Sequence, residues 1–274
     1  MKKIILNESQ RAEIIKLYLE DNKSLENIAK ECNISRQVVT RVLLEEKITL
    51  RKRTHQYKAK YDIFENIDSA EKAYWLGFLA ADGCNFMRKH NATIIINLHQ
   101  KDREHLEKFR QFCGATDVQI VDYISNAGFS NNTPMCRFAL YSKKMANDLV
   151  ALGIVPNKSL ILNKPNISDK YYLPFILGYF DGDGSISKTA QNNNFCISFQ
   201  GTKEMLEWIN NILHISNKIE KRYLDNKNSY YIRCGGTIKP YRIMKTLYDS
   251  CENHLTRKYS IFKELKAVVL NSNV

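Results

Sequence analysis

The amino-acid sequence predicts an α+β fold made of two similar halves, preceded by a small all-helical segment. Two stretches are near-copies of each other, YWLGFLAADGCN (74–85) and PFILGYFDGDGSIS (174–187), and an internal repeat of this kind reveals the architecture of a chain. Each copy is followed by a similar order of strand-like and helix-like segments. The first 60 residues instead show short helical periods with capping serines.

Three short helices are predicted near the N-terminus. Residues 8–20 have apolar side chains on a helical period, and Ser24 and Ser35 are suitable N-caps for SLENIAKEC and SRQVVTRVLLEE. Two short helices joined by a tight connection are typical of a helix-turn-helix, whose second helix presents its N-terminal residues to base edges. We therefore interpret residues 1–50 as a DNA-binding helix-turn-helix domain; a helical bundle without DNA affinity is the alternative. Its candidate DNA contacts are Arg36, Gln37, Thr40 and Arg41.

Positive charge is concentrated at the N-terminus. The chain has a net charge of +12, and residues 1–60 hold 14 basic and 8 acidic side chains. Such a balance indicates a polyanionic partner. The acid-free run Lys47–Lys60 contains Arg51, Lys52 and Arg53, and runs of this kind are solvated linkers or phosphate-binding arms. We expect residues 51–68 to form a basic linker.

The two repeat copies share a glycine inside a short apolar helix and an Asp-Gly at its C-terminal end. A mid-helix glycine costs about 1 kcal/mol relative to alanine, so Gly77 and Gly178 indicate a face that another backbone approaches closely. An aspartate at a helix C-terminus is unfavourable because the helix dipole is negative there. Asp82 and Asp183 are therefore candidate ligands for a hard divalent cation, brought together if the helices pack glycine to glycine. A buried helix closed by an Asp-Gly turn is the alternative.

The segments after each copy predict the rest of each half. After the first copy, ATIIINLHQ is predicted as a strand, DREHLEKFRQFCG as a helix, VQIVDYIS and MCRFALYS as a strand pair, and KKMANDLVALG as a helix. After the second copy, the same order is NFCISFQ, TKEMLEWINNILH, NKIEKRYL with SYYIRC, and IKPYRIMKTLYDS. We assign residues 69–165 to the first half and 166–274 to the second.

The nine-residue motifs WLGFLAADG (75–83) and ILGYFDGDG (176–184) resemble those of the LAGLIDADG homing endonucleases, in the form that carries two motifs on one chain. The resemblance runs from about Ser69 to the C-terminus. It implies two pseudo-symmetric αββαββα halves whose antiparallel strands form a saddle along the DNA major groove. Ala80 departs from the pattern, since the second copy has Asp181; the metal-binding acid of the family is the eighth motif residue, which both copies keep.

The resemblance implies a metal-dependent cleavage of both DNA strands. Asp82 and Asp183 would hold Mg²⁺, for which Mn²⁺ can substitute, together with the carbonyls of Ala81 and Gly182 and with the scissile phosphates. Two further pairs about one hundred residues apart would assist, and these are Gln100 with Gln200 for catalytic water and Lys158 with Lys258 for the scissile phosphate. Strand residues suited to meeting DNA are Arg137, Arg222, Tyr223, Tyr231 and Arg233.

Composition limits the setting and leaves other functions open. The seven cysteines include no CxxC pair, which indicates reduced thiols, and no apolar run approaches the roughly 18–20 residues of a membrane span. We therefore expect a monomer with an internal pseudo-twofold axis that stays in the cytoplasm or an organelle interior and binds double-stranded DNA. A DNA-binding regulator that does not cut, and a maturase acting on intron RNA, are the alternatives to an endonuclease.

Overall fold

The computed structural model describes residues 6–21, 23–50, 57–89, 91–126, 132–189, 194–222 and 227–271. The chain divides into two compact units, Met1–Gln56 and Tyr57–Val274. No helix among these described ranges is both long enough and apolar enough to cross a membrane. The candidate residues Arg51, Lys52, Arg53 and Tyr223 lie outside the described residues.

The first unit contains three helices, α1 (Glu8–Leu19), α2 (Leu25–Glu31) and α3 (Arg36–Glu45). Ser24 and Ser35 cap α2 and α3 as the sequence predicts, since each hydroxyl accepts a hydrogen bond from the backbone of the first helical turn. The helices bury a small apolar core of their own, which includes Ile14, Ile28, Val39 and Leu43. The three predicted helices are confirmed, and their DNA-binding role stays a prediction.

The second unit begins with an irregular segment over residues 57–69, after which its first helix leads into a four-stranded antiparallel sheet. Its first half consists of α4 (Ala70–Ala81), β1 (Gly83–Met87), β2 (Ala92–His99), α5 (Arg103–Phe112), β3 (Val121–Ser125), β4 (Thr133–Tyr141) and α6 (Lys143–Ala151). The sheet order is β1-β2-β4-β3.

The second half repeats this arrangement. It consists of α7 (Tyr172–Asp183), β5 (Gly184–Lys188), β6 (Phe195–Gly201), α8 (Lys203–Leu213), β7 (Ile219–Lys221), β8 (Tyr230–Gly236) and α9 (Ile238–Tyr248), followed by α10 (Thr256–Asn271). The order of its sheet, β5-β6-β8-β7, is that of the first sheet. The predicted α+β fold with two pseudo-symmetric αββαββα halves is therefore confirmed.

Each sheet buries one face against helices. Along β2 the side chains of Ile94, Ile96 and Leu98 are buried, whereas Asn97 between them is exposed. Successive strand residues point to opposite faces, so among the described residues of this unit one face of the sheet packs on helices and the other is the more exposed. The same alternation occurs in β8, where Ile232 is buried.

Three elements differ from the sequence prediction. The short strands β1 and β5, which continue directly from the motif helices, and the helix α10 were not predicted individually.

The predicted linker over residues 51–68 is wrong for its second part. Ile63 and Phe64 are buried in the core of the second unit, and the Lys60 amide donates a hydrogen bond of 2.8 Å to the Cys113 carbonyl.

Candidate active site

The two motif helices α4 and α7 pack with their backbones in contact. A Cβ placed on Gly77 would lie 1.9 Å from the carbonyl oxygen of Phe175, and one on Gly178 would lie 1.9 Å from that of Tyr74. No side chain larger than hydrogen fits at either position. The glycine-to-glycine packing expected from the repeat is therefore present, and it is symmetric.

This packing brings the C-terminal ends of both helices together. Asp82 is the C-cap of α4, and Asp183 is the last residue of α7. The backbone of Gly182 lies against the first aspartate, because a Cβ there would be 3.3 Å from Asp82 Cγ and 2.3 Å from Ala81 Cβ. The aspartates thus lie at one shared point, where β1 and β5 begin.

The surroundings of the aspartates disfavour their negative charge. Burial, followed by the charge of Asp183, raises the pKa of Asp82 to about 6. Burial also raises the pKa of Asp183, although Lys158, Lys258 and Arg222 oppose this shift. Two ionised carboxylates at this point therefore lack full compensation from the cationic side chains of the described chain.

Lys158 and Lys258 are both buried and both cap the ends of the motif helices. The ammonium group of Lys258 donates hydrogen bonds to the carbonyls of Phe180 (2.7 Å), Asp181 (2.8 Å) and Gly184 (2.6 Å). Lysines satisfy the last carbonyls of helices in this way. Burial lowers the pKa of Lys258 to about 8, and it lowers the pKa of Lys158 as well.

The Lys158 ammonium group donates to the carbonyls of Ala81, at 3.2 Å, and Gly83. The two lysines therefore take matching places in the two halves, as their spacing suggests. Their predicted contact with a scissile phosphate stays a prediction, because both ammonium groups are engaged with backbone carbonyls.

The donor set fits a hard divalent cation in part. A pair of carboxylates with raised pKa values is the kind of oxygen site such a cation stabilises. No group of three or more His, Cys, Asp or Glu side chains in the described ranges could hold a metal ion by itself. The carbonyl of Ala81 already accepts a hydrogen bond, although a carbonyl has a second lone pair. Further ligands would have to come from outside the chain.

A cavity of about 270 Å³ opens beside Asp183. Its lining brings together four predicted site residues, which are Ala81, Asp183, Gln200 and Arg222. Ser159 and Leu160, from the loop after α6, complete one side of it. An anionic ligand in this cavity would meet a guanidinium group and an amide next to the carboxylate.

The prediction that Gln100 and Gln200 occupy equivalent positions in the two halves is wrong. Gln200 lies in β6, whereas Gln100 lies after the end of β2 in a short 3-10 turn. Gly83 pairs with Ile96 and Gly184 pairs with Phe199, so the residue that corresponds to Gln200 is Asn97. The β5–β6 connection is two residues longer than the β1–β2 connection, which accounts for two of the three residues between Asn97 and Gln100; the third arises because the equivalent glycines Gly83 and Gly184 lie 101 residues apart.

A buried polar chain links the two halves behind the aspartates. The Tyr74 hydroxyl donates a hydrogen bond of 2.6 Å to Asp181 Oδ2, which also accepts one from the Leu255 amide at 2.7 Å. His105 Nε2 lies 3.1 Å from the same hydroxyl. In the sequence, Asp181 stands out only as the residue that takes the place of Ala80 in the second motif. Tyr74 carries a hydroxyl group within an otherwise apolar helix, and a buried hydroxyl needs a hydrogen-bond partner. This is the feature of the sequence that could have indicated a contact between Tyr74 and the second motif.

The predicted DNA-contact residues occupy three places. Arg137, Tyr231 and Arg233 lie on the faces of the sheets that point away from the helices. Arg222 follows β7 and lines the cavity. The remaining four candidates lie on α3 of the other unit, on its side away from the buried core, and they are Arg36, Gln37, Thr40 and Arg41. Arg36 forms an ion pair of 3.3 Å with Glu26.

Comparison with known proteins identifies one domain. Residues 170–249 match the family model of the LAGLIDADG-like domain. No curated protein matches the chain.

Several solved structures are similar at low identity. The LAGLIDADG homing endonuclease I-GzeII in complex with a DNA target is 11% identical, with 74% of this chain and 92% of that chain covered and a TM-score of 0.49. The meganuclease I-SmaMI bound to uncleaveable DNA is 13% identical over 76% of this chain and 92% of that chain, with a TM-score of 0.48. The I-LtrWI LAGLIDADG homing endonuclease bound to target DNA is 11% identical over 77% and 92%, with a TM-score of 0.47.

The matched domain coincides with the second half of the larger unit, from the start of α7 to the end of α9. The first half has the same order of helices and strands, the same sheet order and the same motif at the end of its first helix. The chain therefore carries a LAGLIDADG-like domain at residues 170–249 and repeats its architecture in the half that precedes it.

Proposed function

We propose that the protein is a site-specific DNA endonuclease that hydrolyses phosphodiesters in both strands of a double-stranded target, with Mg²⁺ or Mn²⁺ as its cofactor. The observation that carries this proposal is the meeting of Asp82 and Asp183 at the packed ends of α4 and α7. The LAGLIDADG-like domain and the net charge of +12 support it.

Asp82 and Asp183 would hold the divalent metal between the two halves. Their raised pKa values indicate a negative charge in need of a cation, and metal binding would keep both carboxylates ionised at neutral pH. When bound, the metal supplies an acidic water and stabilises the charge that builds on the phosphate.

The remaining site residues would hold the aspartates in place, neutralise the charge of the scissile phosphate and orient a water. Lys158 and Lys258 hold the peptides that carry the aspartates, so the carboxylates keep a fixed place relative to a scissile phosphate. Next to Asp183, the guanidinium group of Arg222 would attract the phosphate, and the amide of Gln200 would orient a water. Asn97 is the candidate for the same task in the other half.

Cutting both strands suits the internal symmetry. Each aspartate ends one motif helix and is followed at once by one sheet, so each half can present a carboxylate to one strand of a duplex. A single chain would therefore present one carboxylate to each strand, as a monomer whose internal pseudo-twofold axis matches the twofold relation of the two DNA backbones.

A cleavage assay tests the proposal. The purified chain is incubated with a plasmid library of candidate sites in Mg²⁺, in Mn²⁺ and in EDTA, and the expected result is linear plasmid only in the presence of metal. Asp82→Asn and Asp183→Asn should each lose cleavage and still bind the recovered site. Asp249→Asn is the matched control, since this exposed carboxylate lies at the C-terminal end of α9 outside the site, where it forms an ion pair with Lys245. Binding of the site without linearisation in any metal would contradict the proposal and favour a regulator that does not cut.

A further inference from the structure

In the described part of the larger unit, each sheet has a face that none of that unit's own helices covers, which we call its free face. On the first sheet this face carries the residues that alternate with the buried Ile94, Ile96 and Leu98 of β2. On the second sheet it carries those that alternate with the buried Ile197 and Phe199 of β6. The two free faces begin beside Asp82 and Asp183, because β1 and β5 start at the next residues.

The strand registers set the two free faces in one-to-one correspondence. Gly83 pairs with Ile96, and Gly184 pairs with Phe199. The residues before these, Ile95 and Ser198, are therefore equivalent, and so are their strand partners Cys84 and Ser185. The pairings of β4 with β2 and of β8 with β6 extend the correspondence to Ala139 and Arg233.

The first free face is apolar at six of its positions. Three of these side chains are large and exposed, Phe86 at 43%, Val121 at 55% and Tyr141 at 59%. The six positions are Cys84, Phe86, Ile95, Val121, Ala139 and Tyr141.

The equivalent positions of the second free face have polar side chains or none. They are, in the same order, Ser185, Ser187, Ser198, Glu220, Arg233 and Gly235. The hydroxyls of Ser185 and Ser198 are hydrogen-bonded at 2.7 Å, and the Arg233 guanidinium lies 4.6 Å from the ring centroid of Tyr231. The chemistry of the two faces differs although their backbones match.

The major groove presents two kinds of features to such faces. Thymine alone carries a methyl group there, and apolar side chains recognise it by contact. Guanine presents two acceptors to arginine, and hydroxyl groups bind several base edges by hydrogen bonds. An apolar face and a polar face therefore select different base pairs.

We propose that the two halves of the DNA target differ in composition, with the first free face selecting a half-site rich in T·A pairs through contacts to thymine methyl groups. The second free face selects its half-site through hydrogen bonds, with Arg233 directed to guanine. This inference rests on the proposed function, since it takes DNA as the ligand of both faces.

Two observations favour DNA over a protein as the occupant of the apolar face. First, the paired residues Asn97 and Arg137 of β2 and β4 place polar groups within this face, next to Val121. The Tyr123 hydroxyl donates a hydrogen bond of 3.2 Å to Asn97 Oδ1. In addition, the face starts at Asp82, so a duplex with its phosphate at this carboxylate passes over it.

The test is a binding selection followed by removal of methyl groups. The full chain selects sites from a random duplex library in EDTA, and thymine is then replaced by deoxyuridine in one half of the recovered site at a time. We expect an affinity loss of about fourfold for each contacted methyl in one half, comparable to one buried CH₂ group, and little change in the other half.

Exchange variants assign the halves. Ile95→Ser introduces the residue of the equivalent position, and it should remove the response to deoxyuridine at the base pair that Ile95 contacts while the response at the other positions stays. Arg233→Ala should relax base preference only in the other half. Thermal melting of both variants checks that the fold persists. Thymine enriched equally in both halves, or deoxyuridine tolerated throughout, would overturn the inference while leaving the endonuclease proposal intact. A failure to enrich any sequence would overturn both.

Discussion

Gly77 faces the carbonyl oxygen of Phe175 at a distance that leaves no space for a methyl group. A Cβ on Gly77 would lie 1.9 Å from that oxygen, and Gly178 has the same relationship to Tyr74. Since the contact is with backbone, neither helix can relieve it by a rotamer change. Overpacking in cores costs about 1–3 kcal/mol and more where the backbone must move, so Gly77→Ala and Gly178→Ala should each cost about 3 kcal/mol or more.

Denaturant unfolding of the purified variants measures this cost. The matched control is Gly235→Ala, because a Cβ at Gly235 would meet no atom within 4 Å. Equal midpoints for the Gly77 and Gly235 variants would mean that α4 and α7 separate at little cost, which would contradict the close packing.

The close packing at the repeated glycines could be predicted from the sequence, because glycine inside a helix costs stability relative to alanine unless a close contact requires it. The strands β1 and β5 were harder to see, since each has five residues and begins at the glycine that ends the motif. The packing of residues 57–68 was invisible in the sequence. Ile63 and Phe64 stand among charged residues without a period, and only the tertiary structure shows that both are buried.

His105 should make the protein sensitive to acid. Its ring is buried against Trp75 and Phe78, with centroid distances of 4.8 Å and 4.6 Å, and burial lowers its pKa to about 3, with smaller effects from the cations Lys108, His254, Lys258 and Arg257. The unfolded chain takes up this proton near pH 6.5, whereas the folded chain does not. Stability should therefore fall as the pH falls from about 6.5 toward 3, with a slope of about 1.4 kcal/mol per pH unit from this group.

The variant His105→Phe keeps an aromatic ring and removes the titration. Urea unfolding between pH 7 and pH 4 should show a shallower loss of stability than in the wild type. Phe78→Leu is the control, since it changes the packing against the His105 ring and leaves the histidine to titrate. An unchanged slope in His105→Phe would mean that this histidine is protonated in the folded protein.

Lys258 should support both stability and cleavage. Its ammonium group donates to the carbonyls of Phe180, Asp181 and Gly184, so Lys258→Met would remove a buried donor from all three, although the Phe180 carbonyl keeps the hydrogen bond from the Gly184 amide. An unsatisfied buried polar group costs about 1–3 kcal/mol. The peptide that carries Asp183 would also lose its anchor, and we expect slower cleavage with binding retained.

Single-turnover cleavage and thermal melting measure the two effects. Lys203→Met is the control, because the Lys203 side chain is exposed and its ion pair with Glu207 is long, at 3.6 Å. Normal stability and normal turnover in Lys258→Met would show that the capping bonds contribute little.

The site residues differ in how far the sequence could predict them. Asp82 and Asp183 follow from the motif itself, which both halves keep in register. Asn97 could not be found from spacing, because the longer β5–β6 connection shifts Gln200 relative to its counterpart. The network of Tyr74, Asp181 and His105 depends on contacts between halves that lie far apart in sequence.

The final prediction concerns the N-terminal unit, and the structure determines where the chain can be divided. Tyr57 belongs with the larger unit, since its carbonyl accepts a hydrogen bond of 2.6 Å from the Tyr61 hydroxyl, and the Lys58 amide donates one of 3.1 Å to Asp117. A chain of residues 57–274 should therefore fold and cut. A chain of residues 66–274, which lacks Phe64, should be less stable by roughly 3–5 kcal/mol, as expected for loss of a buried phenylalanine.

Removal of residues 1–56 should weaken DNA binding and flatten its salt dependence, because this segment holds many of the basic side chains. Each lost phosphate contact lowers the slope of log K against log salt by about 0.9. In the full chain, Arg36→Ala and Gln37→Ala should cost roughly 1–3 kcal/mol per lost base contact on the cognate flank and much less on a scrambled flank. Filter binding at several salt concentrations, with footprinting of both chains, measures these effects. If the footprint and affinity of residues 57–274 equal those of the full chain, the N-terminal unit does not bind the DNA that flanks the cleavage site.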